Sequence, residues 1–153
     1  MTGDRVAASR VRDTRRAMSQ ENVDVVQAIY AAFADRAIDA AFTNLADPAF
    51  ELRTPAIYPE GRQTFRGRAG IDRWLAMTEE TWGEWRFEVE RLMDAGEKVV
   101  GLARIVAEGS SSHVRLQRDV AHLWSLTNGR ATSVDVYLDR GEALEAVGLR
   151  EPS

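Results

Sequence analysis

The clearest indication of the fold of this chain lies in residues 121–149, AHLWSLTNGRATSVDVYLDRGEALEAVGL. Two alternating apolar segments flank Asn128-Gly129, a dipeptide that favours the positive backbone φ angles of a tight hairpin turn. After the second segment, Asp139 stands where an N-cap residue begins a helix, and Gly148 stands where that helix would end. The stretch therefore predicts an antiparallel hairpin followed by a short closing helix.

The segments before this hairpin alternate in the same way. Residues 85–93 and 98–107 are predicted strands joined by a turn at 94–97, and residues 114–126 form a long strand that enters the hairpin. The alternation of the earliest strand predicts one shared face for Trp85, Phe87, Val89 and Arg91. The second half of the chain is thus a predicted antiparallel meander.

The first half of the chain is mainly helical in its spacing of apolar residues. The predicted order is helix 22–35, helix 39–45, strand 50–54, a loop at 55–67 and helix 70–82. Pro55 ends the short strand because proline cannot donate a ladder hydrogen bond. Helices followed by an antiparallel sheet predict an α+β domain.

Composition narrows the function classes. The chain has 153 residues, a formal net charge of −4 and 44% hydrophobic residues, which suits one globular domain rather than a nucleic-acid-binding one. It has no cysteine and two histidines, so we expect no metal site and no cofactor. No segment predicts a membrane span or a secretory signal, and we expect a cytoplasmic protein without a membrane partner.

The N-terminal residues differ from the rest. Residues 1–17 are arginine-rich and poor in large apolar residues, so we expect a disordered or weakly helical tail before a domain at 18–150. The alternative is a basic arm that contacts a partner.

Three stretches carry a family resemblance: MSQENVDVVQAIYAAFADRAIDAAF at 18–42, FRGRAGIDRWL at 65–75, and the C-terminal stretch quoted above. Through them the chain resembles the SnoaL-like polyketide cyclase branch of the nuclear transport factor two-like, or ketosteroid isomerase-like, superfamily. The resemblance implies a cone-shaped, curved, mostly antiparallel sheet wrapped around the N-terminal helix, with an internal pocket. That superfamily includes isomerases, epoxide hydrolases, cyclases and non-catalytic binders, so the fold does not select an activity.

The resemblance also sets which strand face lines the pocket. The alternation of side chains along each strand then predicts which strand residues face the pocket. Tyr58, at the mouth of the pocket, and Trp74, on the third predicted helix, are added to these strand residues. The predicted ligand pocket comprises Leu52, Thr54, Tyr58, Trp74, Leu102, Val106, Gln117, Ala121, Val134, Val136 and Leu138. A slip of one residue would invert the set contributed by any strand.

The positions that relatives use for chemistry hold other residues here. The general base of the isomerases matches Thr54, whose hydroxyl has no useful basicity near neutral pH. Their protonated aspartate matches Ala121 and their oxyanion tyrosine matches Ile29, with Tyr30 beside it. The aspartate of the epoxide hydrolases matches Val136. The usual mechanisms of both enzyme groups are therefore not expected.

The polar residues assigned to the pocket are Arg104, Asp119 and Gln117. Arg104 and Asp119 lie on consecutive predicted strands and are expected to pair, either as a substrate-binding acid and base or as a structural ion pair. His122 and Trp124 alternate onto the opposite face, where an aromatic residue predicts a homodimer interface through the outer side of the sheet.

Two functions follow from the sequence. The first is a pocket that binds a hydrophobic small molecule, with or without a carbonyl group, and does not catalyse a reaction. The second is a cofactor-independent isomerase, cyclase or lyase-type enzyme with Asp119, Arg104 and Tyr30 as its catalytic residues. The vacant base position at Thr54 favours the first.

Overall fold

The computed structural model describes residues 3–55, 62–109 and 111–150, with the backbone alone for residues 3–18. The helices in these residues are α1 (Gly3–Ala34), α2 (Ile38–Asn44), α3 (Gly67–Thr81) and α4 (Arg140–Ala146). The strands are β1 (Ala46–Arg53), β2 (Thr64–Arg66), β3 (Trp82–Ala95), β4 (Lys98–Gly109), β5 (Arg115–Thr127) and β6 (Arg130–Tyr137).

The strands form one sheet in the order β2-β1-β6-β5-β4-β3. Neighbouring strands pair antiparallel except β1 and β6, which pair parallel. Helices α1 and α3 pack on one face of this sheet and α4 packs on the other. The predicted α+β class with a mostly antiparallel sheet is confirmed.

The local signals of the C-terminal stretch act as expected. Asn128 and Gly129 have φ angles of 52° and 75°, which are the positive values that a two-residue hairpin turn requires. The side chain of Asp139 accepts a hydrogen bond from the backbone N–H of Glu142 at 3.3 Å and caps α4. Gly148 follows that helix with a φ of 74°.

Helix α1 begins at Gly3, so the backbone is helical through residues that the sequence predicted to be disordered or weakly helical. Two further elements differ from the prediction. The predicted loop at 55–67 contains β2, which pairs with β1. In β3 the register shifts between Val89 and Arg91, and Arg91 therefore pairs with Leu102 instead of sharing the face of Phe87.

The sheet is buried on both sides in its centre. On the concave face, α1 and α3 cover a cluster that includes Val26, Ile71, Val99 and Trp124. On the convex face, α4 covers a smaller cluster. That cluster contains Val100, Leu102, Ala121, Leu123, Ala143 and Leu144. Because helices cover both faces of the sheet, β4 and β5 carry apolar residues at odd and even positions alike.

Candidate functional site

A cavity lies between the concave face of the sheet and helices α1, α2 and α3. Its volume is about 60 Å³, and its wall consists almost entirely of apolar and aromatic side chains. The lining residues are Ile29, Tyr30, Phe33, Ala41, Phe42, Ala46, Phe50, Leu52, Ile71, Trp74, Phe87, His122, Trp124, Val134 and Val136. The cavity therefore suits a hydrophobic group.

The polar atoms of this wall form one cluster. The Tyr30 hydroxyl lies 2.7 Å from Nδ1 of His122, and Nε1–H of Trp124 donates a hydrogen bond to the same hydroxyl at 3.1 Å. Tyr30 comes from α1, whereas His122 and Trp124 come from the same face of β5. Helix and sheet are thus joined through one hydroxyl.

Donor and acceptor counting favours one tautomer of His122. Indole Nε1 can only donate, so the Tyr30 oxygen accepts from Trp124 and has one hydrogen of its own to give. Nδ1 of His122 is the acceptor found for that hydrogen among the described residues, so we assign the imidazole hydrogen to Nε2. Nε2 makes no hydrogen bond with any residue of the described ranges. His122 is therefore a neutral imidazole with an unengaged N–H donor.

Burial perturbs both titratable groups of the cluster. His122 is 3% exposed, and loss of solvent lowers its pKa to about 4. Burial raises the pKa of the Tyr30 phenol above its ordinary value, and the hydrogen bond from Trp124 opposes that rise. Both groups are uncharged at neutral pH, which is what an apolar wall requires.

Aromatic rings hold His122 in place. The ring of Phe87 meets the imidazole edge to face, with centroids 4.8 Å apart. Trp124 stacks on Phe50 at 6.1 Å and meets Tyr30 edge to face at 5.5 Å. The cluster is therefore fixed by packing from β1, β3 and α1 as well as by its hydrogen bonds.

Several residues assigned to the pocket by the sequence lie in its wall. They are Tyr30, Leu52, Trp74, Val134 and Val136. Thr54 is not among the lining residues: its hydroxyl accepts a hydrogen bond from the backbone N–H of Gln63 at 3.0 Å. Val106 and Leu138 are half-buried away from the cavity, and Tyr58 lies outside the described residues.

The face assigned to β4 and β5 is wrong. Arg104, Asp119 and Gln117 are exposed on the convex side, and Leu102 and Ala121 pack under α4. Both faces are apolar at the centre of these strands, so alternation did not distinguish concave from convex.

Arg104 and Asp119 do pair, as expected, but outside the cavity. Nε of Arg104 lies 3.3 Å from Asp119, whose side chain is 54% exposed. Glu90 and Arg140 extend the pair into a network in which Arg140 contacts Glu90 at 3.0 Å and Asp119 at 3.5 Å. This network connects β3, β4, β5 and the start of α4, and none of its members lines the cavity.

His122 and Trp124 were expected on an outer dimer interface, and this placement is also wrong. Both are buried within a single protomer against Tyr30. Two sequence signals point to this arrangement. The charged run RLQRD at 115–119 marks the exposed end of β5, and the buried run VAHLW at 120–124 marks a segment covered on both faces.

Comparison with known proteins agrees with this architecture. The family model described as SnoaL-like domain matches residues 26–134. The chain belongs to the SnoaL-like domain family. Among curated protein sequences, none matches this chain.

Solved structures of SnoaL-like and NTF2-like proteins share the fold. TerC, co-crystallized with polyporic acid, is 26% identical with a TM-score of 0.68 over 84% of this chain and 98% of that one. An NTF2-like protein from Burkholderia thailandensis E264 is also 26% identical, with a TM-score of 0.65 over 86% and 98%. A protein with a ketosteroid isomerase-like fold from Catenulispora acidiphila DSM 44928, in complex with trimethylamine, is 22% identical with a TM-score of 0.59 over 82% and 92%.

The described part of the chain has neither a group of metal ligands nor a helix suited to span a membrane. In the described part of the chain, no three histidine, aspartate or glutamate side chains are placed to hold a metal ion. No helix among the described residues is long and apolar enough to cross a membrane.

Proposed function

We propose that this SnoaL-like protein binds a hydrophobic small molecule through a hydrogen-bond-accepting group, such as a carbonyl oxygen, placed against His122. The observation that supports this is the unengaged Nε2–H donor in an otherwise apolar wall. Pockets for small molecules commonly combine apolar walls with a few placed polar groups that select the orientation of the ligand.

The size of the cavity limits the ligand. A cavity of about 60 Å³ is smaller than the ~150 Å³ cavity that binds benzene in an engineered protein. The cavity therefore receives a small ligand or the carbonyl-bearing end of a larger one. Polyporic acid bound to TerC and trimethylamine bound to the Catenulispora protein provide two contrasting probes, one with carbonyl groups and one with an amine.

The charge of the site favours the carbonyl probe. A neutral donor attracts an acceptor, whereas a protonated amine would bury a charge without a counter-ion. No aspartate or glutamate is found among the described lining residues, so nothing there would compensate the cation.

Proton abstraction is the less supported function. Asp119 and Arg104 lie on the convex face, and the described cavity wall offers no carboxylate as a general base. His122, with its pKa near 4, is a weak base at neutral pH. In an isomerase or cyclase, His122 would polarise a carbonyl by hydrogen bonding, because the Tyr30 hydrogen is already donated to Nδ1.

The test is a titration followed by nuclear magnetic resonance. Acetone, a small neutral ketone, should shift the Nε2–H resonance of His122, and trimethylammonium chloride should not. In the His122→Phe variant, ketone affinity should fall about fivefold or more, since one hydrogen bond of about 1 kcal/mol is lost. A shift at Asp119 with none at His122 would contradict the proposal.

A homodimer and a cytoplasmic location are separate proposals. Trp124 is buried inside the protomer, so it does not support a dimer interface. A monomeric mass at micromolar concentration would contradict the dimer.

A further inference from the structure

Gly101 faces His122 directly across the pairing of β4 with β5. Its neighbours on the same strand face, Val99 and Ala103, are fully buried and carry side chains. Gly101 is not among the glycines with positive φ, so its backbone conformation is one that other residues adopt. The absence of a side chain at this position therefore has a steric reason.

That reason is the Tyr30 hydroxyl. A Cβ atom added at Gly101 would overlap this hydroxyl and lie 3.2 Å from Cζ of the same ring. The space that a side chain would fill is thus the space through which Tyr30 reaches Nδ1 of His122 at 2.7 Å. The Tyr30 ring cannot move aside freely, because its hydroxyl is also held by Trp124 at 3.1 Å.

We propose that Gly101 is a positioning residue: it admits the Tyr30 hydroxyl to His122 and so favours the imidazole hydrogen on Nε2 of this cavity-lining residue. Gly101 acts through Tyr30, whose O–H donates to Nδ1 and so disfavours the other neutral tautomer. The consequence for ligand choice, a preference for acceptors, rests on the proposed function.

A double-mutant cycle tests the steric step. Glycine weakens a strand relative to alanine, so propensity alone makes Gly101→Ala stabilising. The overlap with Tyr30 predicts the opposite: the unfolding equilibrium constant should rise about tenfold or more. With Tyr30→Phe also present there is no hydroxyl to displace, and Gly101→Ala should then raise that constant less than about threefold. Equal effects in both backgrounds overturn the proposal.

The tautomer is measured in the same proteins without ligand. Long-range proton–nitrogen correlations of His122 should show hydrogen on Nε2 alone in the wild type and a mixture of tautomers in Gly101→Ala. A single Nε2–H tautomer in folded Gly101→Ala would overturn the positioning role. Since no ligand is added, this result is independent of whether the pocket binds ketones. If Gly101→Ala does not fold alone, the Gly101→Ala, Tyr30→Phe double variant supplies the comparison: it should fold, because the hydroxyl that a Cβ would overlap is absent, and its failure to fold would overturn the steric step.

Discussion

The two faces of β4 and β5 carry their polar groups in opposite ways. On the concave face, His122 and Trp124 are buried and Tyr30 is half-buried, and the three uncharged side chains are joined by two hydrogen bonds. On the convex face, Arg104 and Asp119 are charged, about half exposed and surrounded by further ion partners. The same strands thus present a neutral cluster beside a cavity and a solvated ion network away from it.

Polar interactions on the two faces are therefore expected to contribute differently to the free energy of unfolding. A solvent-exposed ion pair gains little, because water and salt screen the charges and ordering long side chains costs entropy. A buried hydrogen bond matters more, because removing one partner leaves the other without solvent to replace it. Charged residues such as Arg104 and Asp119 are the usual candidates for a functional site in a sequence. Here the uncharged His122 lines the cavity and is the residue that we propose to contact a ligand.

The largest expected effect concerns the pH dependence of folding. The unfolded chain protonates His122 near pH 6.5, whereas the folded chain does so only near pH 4. Between these values the unfolded state binds more protons, so stability falls as the pH is lowered from 6.5 to 4. The loss due to His122 is about 3 kcal/mol, from the difference in pKa.

Urea unfolding at several pH values measures this loss. The His122→Phe variant should show a shallower decline in the free energy of unfolding than the wild type over that range. His113→Gln is the matched control, since the side chain of His113 is 79% exposed, and it should follow the wild type. Identical slopes for wild type and His122→Phe would show that burial of His122 is not what the structure indicates.

An intermediate effect is expected when a hydroxyl is removed from the concave face. Tyr30→Phe leaves Nδ1 of His122 and Nε1 of Trp124 without their shared partner, which should cost about 1–3 kcal/mol. Tyr137→Phe makes the same change on the convex side, where the ring lies under the Arg62 guanidinium and that contact survives. We expect it to cost less than about 0.5 kcal/mol in chemical denaturation. Equal losses would remove the distinction between the faces.

The smallest effect is expected at the convex ion network. Asp119→Asn should change the free energy of unfolding by less than about 1 kcal/mol, with the difference shrinking in high salt. It should leave ketone binding unchanged, because Asp119 does not line the cavity. Asp135→Asn provides the contrast: Asp135 is 17% exposed and accepts two hydrogen bonds from Arg53, so a greater loss is expected. Lost ketone binding in Asp119→Asn would return Asp119 to the site.

The predictable parts of the fold are those with short-range causes. The Asn128-Gly129 turn and the Asp139 cap depend on residues within four positions of each other, and both appear where the sequence places them. β2 could not be predicted in the same way. It spans only Thr64–Arg66 and exists because β1 offers it a partner edge, which is a long-range cause.

The candidate site was predicted only in part, and for an identifiable reason. The face that the resemblance implied for Leu52 on β1 and for Val134 and Val136 on β6 is the one that lines the cavity, and Trp74 of α3 lines it too. On β5 the run from Val120 to Trp124 is buried at every position, so its pattern has no period-two signal.

The order of the C-terminal elements, their turns, the closing helix and the resemblance to SnoaL-like proteins are all visible in the amino-acid sequence. Which side of β5 faces the cavity depends on packing, because α4 covers Ala121 and Leu123 on one side while Tyr30 reaches His122 on the other. Adjacent residues of a strand point in opposite directions, so one helix packed on each face makes His122, and not Asp119, the polar group of the pocket.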